Sequence, residues 1–359
     1  PEVASTLSRL GDLLYGRGAA DEALGAFEAA LRIRRRHFTA PHLELARSLQ
    51  DLGATHFELG NLDRAEELLR RAEDQRRREL GDAHPKVAET LGTLGAVRFA
   101  QGDVESAEKL LRDALAIRTD AYGRRHPLVA RTLNNLGEIL RRSRRYEAAV
   151  PLLAESAELV GELQGRAHPE YADNLENYAR TLQQAGRPAD AEPLHREVLD
   201  ILDGLGEEGA KKKPWVLINL GDTRRDLGRP RDALAAYRRA LDLRRRHYPA
   251  GHIRLVQPLE RVGEALLAFD PAAAEAPLRE ALGIRREQRP DRLSTHRLQL
   301  TLAKCLERRG AGRPRGQAAV RTEALGLAQE GLEGLEGRLG ADAPEVRDAR
   351  AFVDSLGAN

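Results

Sequence analysis

A 42-residue period limits what this chain can fold into more than any other feature. Leu-Gly pairs place Gly11, Gly53, Gly95, Gly137 and Gly221 in one register, Val262-Gly263 continues it, and Ala179 fills the remaining slot. Twelve residues after each comes alanine, at Ala23, Ala65, Ala107, Ala149, Ala191 and Ala233, and the seventh copy slips by one to Ala274. Seven further on stand Ala30, Ala72, Ala114, Ser156, Val198, Ala240 and Ala281. Self-similarity of this kind marks an array of stacked units, so the 359 residues are not read as two or three independent domains.

Apolar residues between these landmarks recur at three and four, as in Leu133, Leu136, Ile139 and Leu140, the pattern of helices with one buried stripe. Each copy therefore reads as two helices. In copy four they run from about Leu128 to Arg142 and from about Tyr146 to Gly161. A small residue at the Leu-Gly position lets the second helix come close, where leucine would hold the pair apart.

Gly81-Asp82-Ala83-His84-Pro85, Gly123-Arg124-Arg125-His126-Pro127 and Gly165-Arg166-Ala167-His168-Pro169 separate successive copies. Glycine suits the end of one helix and proline the first turn of the next. The connector histidines lie tens of residues apart without a nearby second ligand, so they read as structural loop residues and not as metal ligands.

Seven copies are bounded at 1–41, 42–85, 86–127, 128–169, 170–213, 214–252 and 253–290. A degenerate eighth at 291–343 carries a Gly/Pro/Arg-rich insertion from Gly310 to Gly316, and 344–359 reads as a capping helix. No equivalent cap is evident at the start. The chain opens at Pro1 in mid-pattern, as expected of a piece of a longer polypeptide.

Charge and cysteine usage narrow the partners. Fifty-eight basic against 56 acidic residues leave a net charge of +2, which gives no bulk attraction to nucleic acid or anionic lipid. One cysteine, Cys305, excludes an internal disulfide framework and any multi-cysteine metal site, which fits a reducing compartment. Without a long apolar run or a signal pattern, the expected location is the cytoplasm. Lysine supplies only six of the basic residues, and the Arg, Ala and Gly richness points to a GC-rich, bacterial genome.

The Leu-Gly pair with alanines at twelve and nineteen resembles the tetratricopeptide repeat. The 42-residue spacing, the Gly-x-x-His-Pro connector and the phrase Val129-Ala130-Arg131-Thr132-Leu133-Asn134-Asn135-Leu136-Gly137 are similar to its kinesin light chain type over nearly the whole chain. The resemblance implies an all-α fold: a right-handed superhelical solenoid of about eight helix-turn-helix repeats with a C-terminal capping helix. Its concave groove would be lined by the first helix of each pair. The sequence departs from the pattern at Ala179, at Glu207 to Lys213 in place of His-Pro, and in copies seven and eight.

On that geometry, positions six and three before the small residue and one and four after it face the groove. They are Arg131, Asn134, Glu138 and Arg141 in copy four, Asp173, Glu176, Arg180 and Gln183 in copy five, and Trp215, Ile218, Asp222 and Arg225 in copy six. Amide and guanidinium groups suit an extended peptide, since the amide donates and accepts while arginine takes a carboxylate in two parallel bonds. Asn134 also matches a groove asparagine of the kinesin light chain type. Trp215 is an anchor candidate, and Phe57 and Phe99 make the earlier copies more apolar. The same charges could equally join adjacent helices by salt bridges.

Arg34-Arg35-Arg36, Arg76-Arg77-Arg78 and Arg244-Arg245-Arg246 share a phase and would stack as ridges along one edge. They read either as a phosphate or acidic-protein surface or, more simply, as cations complementing helix C-termini. The Lys211 to Lys213 cluster reads as a solvated loop. No zinc-protease helix, phosphate loop, dinucleotide turn, nucleophile elbow or kinase signature is present, so neither catalysis nor a cofactor or metal is expected. The expected function is a scaffold binding a peptide or protein partner in the groove. The alternatives are the recruiting array of a larger bacterial signalling enzyme, such as a Ser/Thr kinase, a nucleotide-switch ATPase or a caspase-like protease, and a nucleic-acid or phosphate binder.

Overall fold

The structure, a computed structural model, describes residues 2–289, 291–310 and 317–358. Pro1 and the insertion beyond Gly310 lie outside the described residues, which form seventeen α-helices, one short 3₁₀ turn and no strand. They divide into two compact units, Pro1–Ala185 and Gly186–Asn359. The first holds α1 (Glu2–Gly16), α2 (Ala20–His37), α3 (Leu43–Glu58), α4 (Leu62–Leu80), α5 (Pro85–Ala100), α6 (Val104–Tyr122), α7 (Pro127–Arg142), α8 (Tyr146–Gln164) and α9 (Pro169–Gln184). The second holds α10 (Pro188–Gly204), α11 (Gly206–Asp226), α12 (Pro230–His247), α13 (Val256–Leu267), α14 (Pro271–Gln288), α15 (Leu293–Gly310), α16 (Gln317–Leu339) and α17 (Pro344–Gly357).

Within a pair, the small residue works as its spacing implies. A methyl group added at Gly53, Gly137 or Gly221 would lie 2.6 Å from Leu69, 2.5 Å from Leu153 or 2.3 Å from the Tyr237 ring. Each of those side chains stands sixteen residues on and fills the space the glycine leaves. Gly81, Gly123 and Gly165 end their helices at φ of 83°, 74° and 93°, the left-handed region that side-chain-bearing residues avoid. The following His84, His126 and His168 are helix caps: their Nδ1 atoms accept the backbone N–H of Lys86, Leu128 and Glu170 at 3.1, 3.2 and 3.1 Å. His42 and His252 do the same for Glu44 and Arg254. Each cap satisfies one of the orphan donors of a helix start.

Between pairs, the arginine runs differ from the surface ridges expected of them. Arg34 and Arg76, the first members of two runs, are buried, as is Arg118, which shares their 42-residue register. Arg34 donates to Ser8 and Ser48 at 2.8 and 2.5 Å, Arg76 to Thr90 and the Lys86 carbonyl at 2.7 Å each, and Arg118 to Thr132 at 2.5 Å. The hydroxyl partners Ser48, Thr90 and Thr132 form their own 42-residue column. A guanidinium can be buried when its N–H groups are bonded and its stem lies on apolar surface, so these arginines staple each second helix to the next first helix. The later members Arg35 and Arg36 remain exposed, while Arg77 and Arg78 pair with Glu73, Asp82 and Asp74.

The staple lapses at α8, where Val160 takes the arginine position and Ser156 Oγ lies 2.7 Å from both the Ala130 carbonyl and Asn174 Oδ1. In the sixth copy, Pro258 stands where the hydroxyl would be, and Arg244 Nε is left buried with no partner among the described residues.

Residues 207–213, expected as a loop, belong to α11. Glu207 with Lys211 and Glu208 with Lys212 form i,i+4 pairs, and the stretch is rich in good helix formers. On α17, Val346, Ala349 and Leu356 are buried and the other residues are mostly exposed, as a capping helix requires. On α1, Val3, Leu10 and Leu13 are exposed, whereas the residues 42 further on, Leu45, Leu52 and Thr55, are buried. No described helix is long and apolar enough to cross a membrane.

Candidate peptide-binding face

The fourth-copy candidates lie on α7. Arg131 is exposed and makes no hydrogen bond or ion pair among the described residues. Asn134 is half-buried and its Oδ1 accepts from Asn177 Nδ2 at 3.1 Å. Glu138 takes Arg141 in two bonds of 2.8 and 2.6 Å, and Arg141 also donates to Gln184 Oε1 at 3.0 Å. With the Arg141 side chain only 8% exposed, this guanidinium ties α7 to α9. Reversing its charge would therefore disturb packing as well as any groove chemistry.

On α9, Asp173 is exposed, Arg180 and Gln183 are half-buried, and Glu176 is buried. All four are engaged in interactions. Burial lowers the Arg180 pKa, and repulsion from Arg141 adds to it.

The sixth-copy candidates belong to the second unit. Trp215 is half-buried and engaged, and Ile218 is fully buried. Asp222 accepts the Tyr237 hydroxyl at 2.7 Å and pairs with Arg225 and Arg261 at 3.1 Å each. Burial, reinforced by the Asp222 charge, pushes the Tyr237 hydroxyl well above the ordinary tyrosine range. Arg225 also pairs with Asp226.

A hollow of about 420 Å³ lies on the first unit where α3, α5 and α7 meet, lined by Phe57, Gly92, Ala96, Phe99, Ile139 and Arg142. Its volume falls in the range of small-ligand and side-chain pockets. Gly92 and Ala96 keep the floor low, and a methyl group added at Gly92 would meet no atom within 4 Å. The Arg142 guanidinium sits 4.7 Å from the centre of the Phe99 ring, so one wall is both apolar and cationic. Glu138 and Asn135 border the same hollow, and with Arg131 and Arg142 they follow the four-three-four spacing of one helix face. Phe57 and Phe99 were legible as apolar groove positions. The contribution of Gly92, Ala96, Asn135 and Arg142 was not, although small residues three before and one after the copy-three glycine were its signal.

Cys305 is buried, with Sγ 3.1 Å from the Pro271 carbonyl, and burial pushes its thiol up to about 11. It is not poised as a nucleophile.

Helix pairs closed by a small residue and joined by capped connectors define a helical-repeat protein. The chain belongs to the tetratricopeptide repeat family, whose model matches residues 2–78, 60–120, 86–160, 128–203 and 212–287. No curated protein matches it. Among solved structures, it is similar to BtubC (BKLC) of P. vanneervenii, with 22% identity and a TM-score of 0.57 over 64% of this chain and 93% of that one. It is also similar to the nearly identical kinesin light chain TPR-like repeats of Podosopora anserina, with 21% identity and a TM-score of 0.50 over 56% of this chain and 96% of that one. A Rap protein complexed with Competence and Sporulation Factor covers 99% of each chain at 12% identity and a TM-score of 0.56. At these identities the likenesses show the fold.

Proposed function

We propose that this chain is a non-catalytic scaffold that binds a peptide or a peptide-like segment of a partner protein on the α3–α5–α7 face of its first unit. The observation that carries this reading is the hollow between Phe57 and Phe99, an apolar socket bordered by polar groups on α7. Apolar anchors seated in such sockets supply much of the affinity of peptide recognition, and bordering polar groups set orientation. The Rap neighbour, complexed with a factor, supports a binding role for this architecture.

The test is selection of a random dodecapeptide display library on the full chain. Enriched peptides should share an apolar residue. Gly92→Leu, which extends a side chain into open space, should weaken them by about tenfold or more without loss of helicity or melting temperature, since leucine is the better helix former. Peptides that bind Gly92→Leu as tightly as the parent would place the site elsewhere.

A further inference from the structure

Three buried arginines occupy the same repeat position, but only two of them have a carboxylate. Arg34 lies 2.9 Å from Glu44, and Arg76 lies 3.3 Å from Glu89. Both carboxylates are about half exposed, so the outer end of each staple is reached from solvent. Arg118, 4% exposed, donates to Thr132 and has no ion pair among the described residues. Its Nε is buried with no hydrogen-bond partner.

The reason lies in the register. The residue 42 on from Glu89 is Arg131, and the one 42 on from Lys86 is Leu128. A second cation thus stands where the preceding copy supplies an acid. Burial, with Arg131 adding repulsion, lowers the Arg118 pKa, while the attraction of Glu89 opposes this from a distance. Glu89 is already paired with Arg76. A guanidinium does not shed its proton in proteins, and a buried charge without a partner is destabilising, so the site is short of one anion.

We propose that Arg118 and Arg131 together receive a carboxylate from the bound peptide, an Asp or Glu side chain standing in for the glutamate that the preceding copy carries itself. This rests on the α3–α5–α7 face being the peptide site. Arg131 shares its helix face with Asn135, Glu138 and Arg142, which border the hollow. Seven residues of helix separate Arg131 from Glu138, roughly 10 Å, or about three residues of extended peptide. The partner therefore carries an acidic residue about three positions from its apolar anchor.

Two measurements test this independently. Arg131→Glu rebuilds the Arg76–Glu89 arrangement at Arg118, and in the free protein it should raise Tm by about 2 °C, with Arg131→Gln giving less. An unchanged or lowered Tm for Arg131→Glu overturns the missing-anion assignment, whatever the groove binds.

The second measurement uses peptides enriched on the parent chain, each with a twin carrying glutamine or asparagine for its acid. The acidic peptide should bind the parent about tenfold more tightly than its twin and should lose that advantage on Arg131→Glu. Equal binding of the twins to the parent overturns the proposal, and so does a preference for a phosphoserine twin that excludes the glutamate peptide. Failure of Gly92→Leu to weaken any peptide would instead sink the groove reading while leaving the Tm result intact.

Discussion

The two units obey one rule for making a helix pair and share a column of carboxylate hubs, Glu66 and Glu108 in the first and Glu192 in the second, but they differ in the arginine staple. In the first, buried arginines reach across to hydroxyls in strict register, and four connector histidines cap the helices that follow. In the second, the in-register staple is gone and carboxylate hubs remain: Glu192 gathers Arg196, Arg224 and Arg229 as Glu108 gathers Arg112 and Arg145 in the first unit, Asp222 gathers Arg225, Arg261 and Tyr237, and Glu260 holds Arg285. Among the described connector histidines of that unit, His252 alone caps. A repeated staple needs its donor and acceptor columns to drift together. With the arginine lost at Val160 and the hydroxyl replaced by Pro258, the staple lapses and the charge pairs, present in both units, remain.

The comparison breaks most visibly at the staples. Arg76→Met removes the bonds to Thr90 and the Lys86 carbonyl and the ion pair with Glu89, and should destabilise by about 2–4 kcal/mol, whereas Arg118→Met loses one bond to Thr132 together with a buried cation that has no counter-ion and should change stability by less than about 1 kcal/mol. Hydrogen exchange of the α4–α7 amides reads both, and it avoids assuming that an array melts in two states. Equal losses would show that the carboxylate is irrelevant to the staple.

A smaller effect sharpens the contrast at Asp51. Burial pushes its carboxyl up to about 7, against partial relief from Arg47. Between the ordinary carboxylate pKa near 4 and that value, the folded chain holds a proton that the unfolded chain releases, so stability falls as pH rises through this window. Copies four to six carry Asn135, Asn177 and Asn219 in the same register. Asp51→Asn should therefore flatten the profile from pH 4 to 7 and add about 1–2 kcal/mol at pH 8, allowing for partial solvent screening. A denaturation midpoint that keeps its pH slope in the variant would locate the titrating group elsewhere.

The smallest effect concerns the caps. His84→Ala should cost about 1 kcal/mol and His84→Asp should recover most of it, since both imidazole and carboxylate can accept the Lys86 N–H. Exchange protection at that amide should fall and return in step.

Much of this was legible because a repeat states each instruction several times. The Leu-Gly column implied close helix approach, and its partner sixteen residues on is the atom-level counterpart. Arginine is where sequence reading failed. Charge suggested a surface ridge, yet a long apolar stem and several donors let the residue be buried against hydroxyls, and the matching Ser48, Thr90 and Thr132 column was the available clue. Lys211 to Lys213 misled in the opposite direction: their polarity resembled a loop, but glutamates four residues before Lys211 and Lys212 make helix equally favourable. For Arg141 and Glu176, groove phase did not forecast burial; Arg141 is buried because it reaches from α7 to Gln184 on α9.

The staple also bears on how such an array diversifies. The repeat carries the arginine and the hydroxyl at fixed positions, whereas the acid stands at Glu44 in one copy and at the different register position Glu89 in the next. Exchanging that acid for a base in one daughter unit, the difference between Glu89 and Arg131, leaves the core untouched and the arginine in place. One codon then separates a junction that carries its own counter-ion from one that leaves its buried cation unmatched.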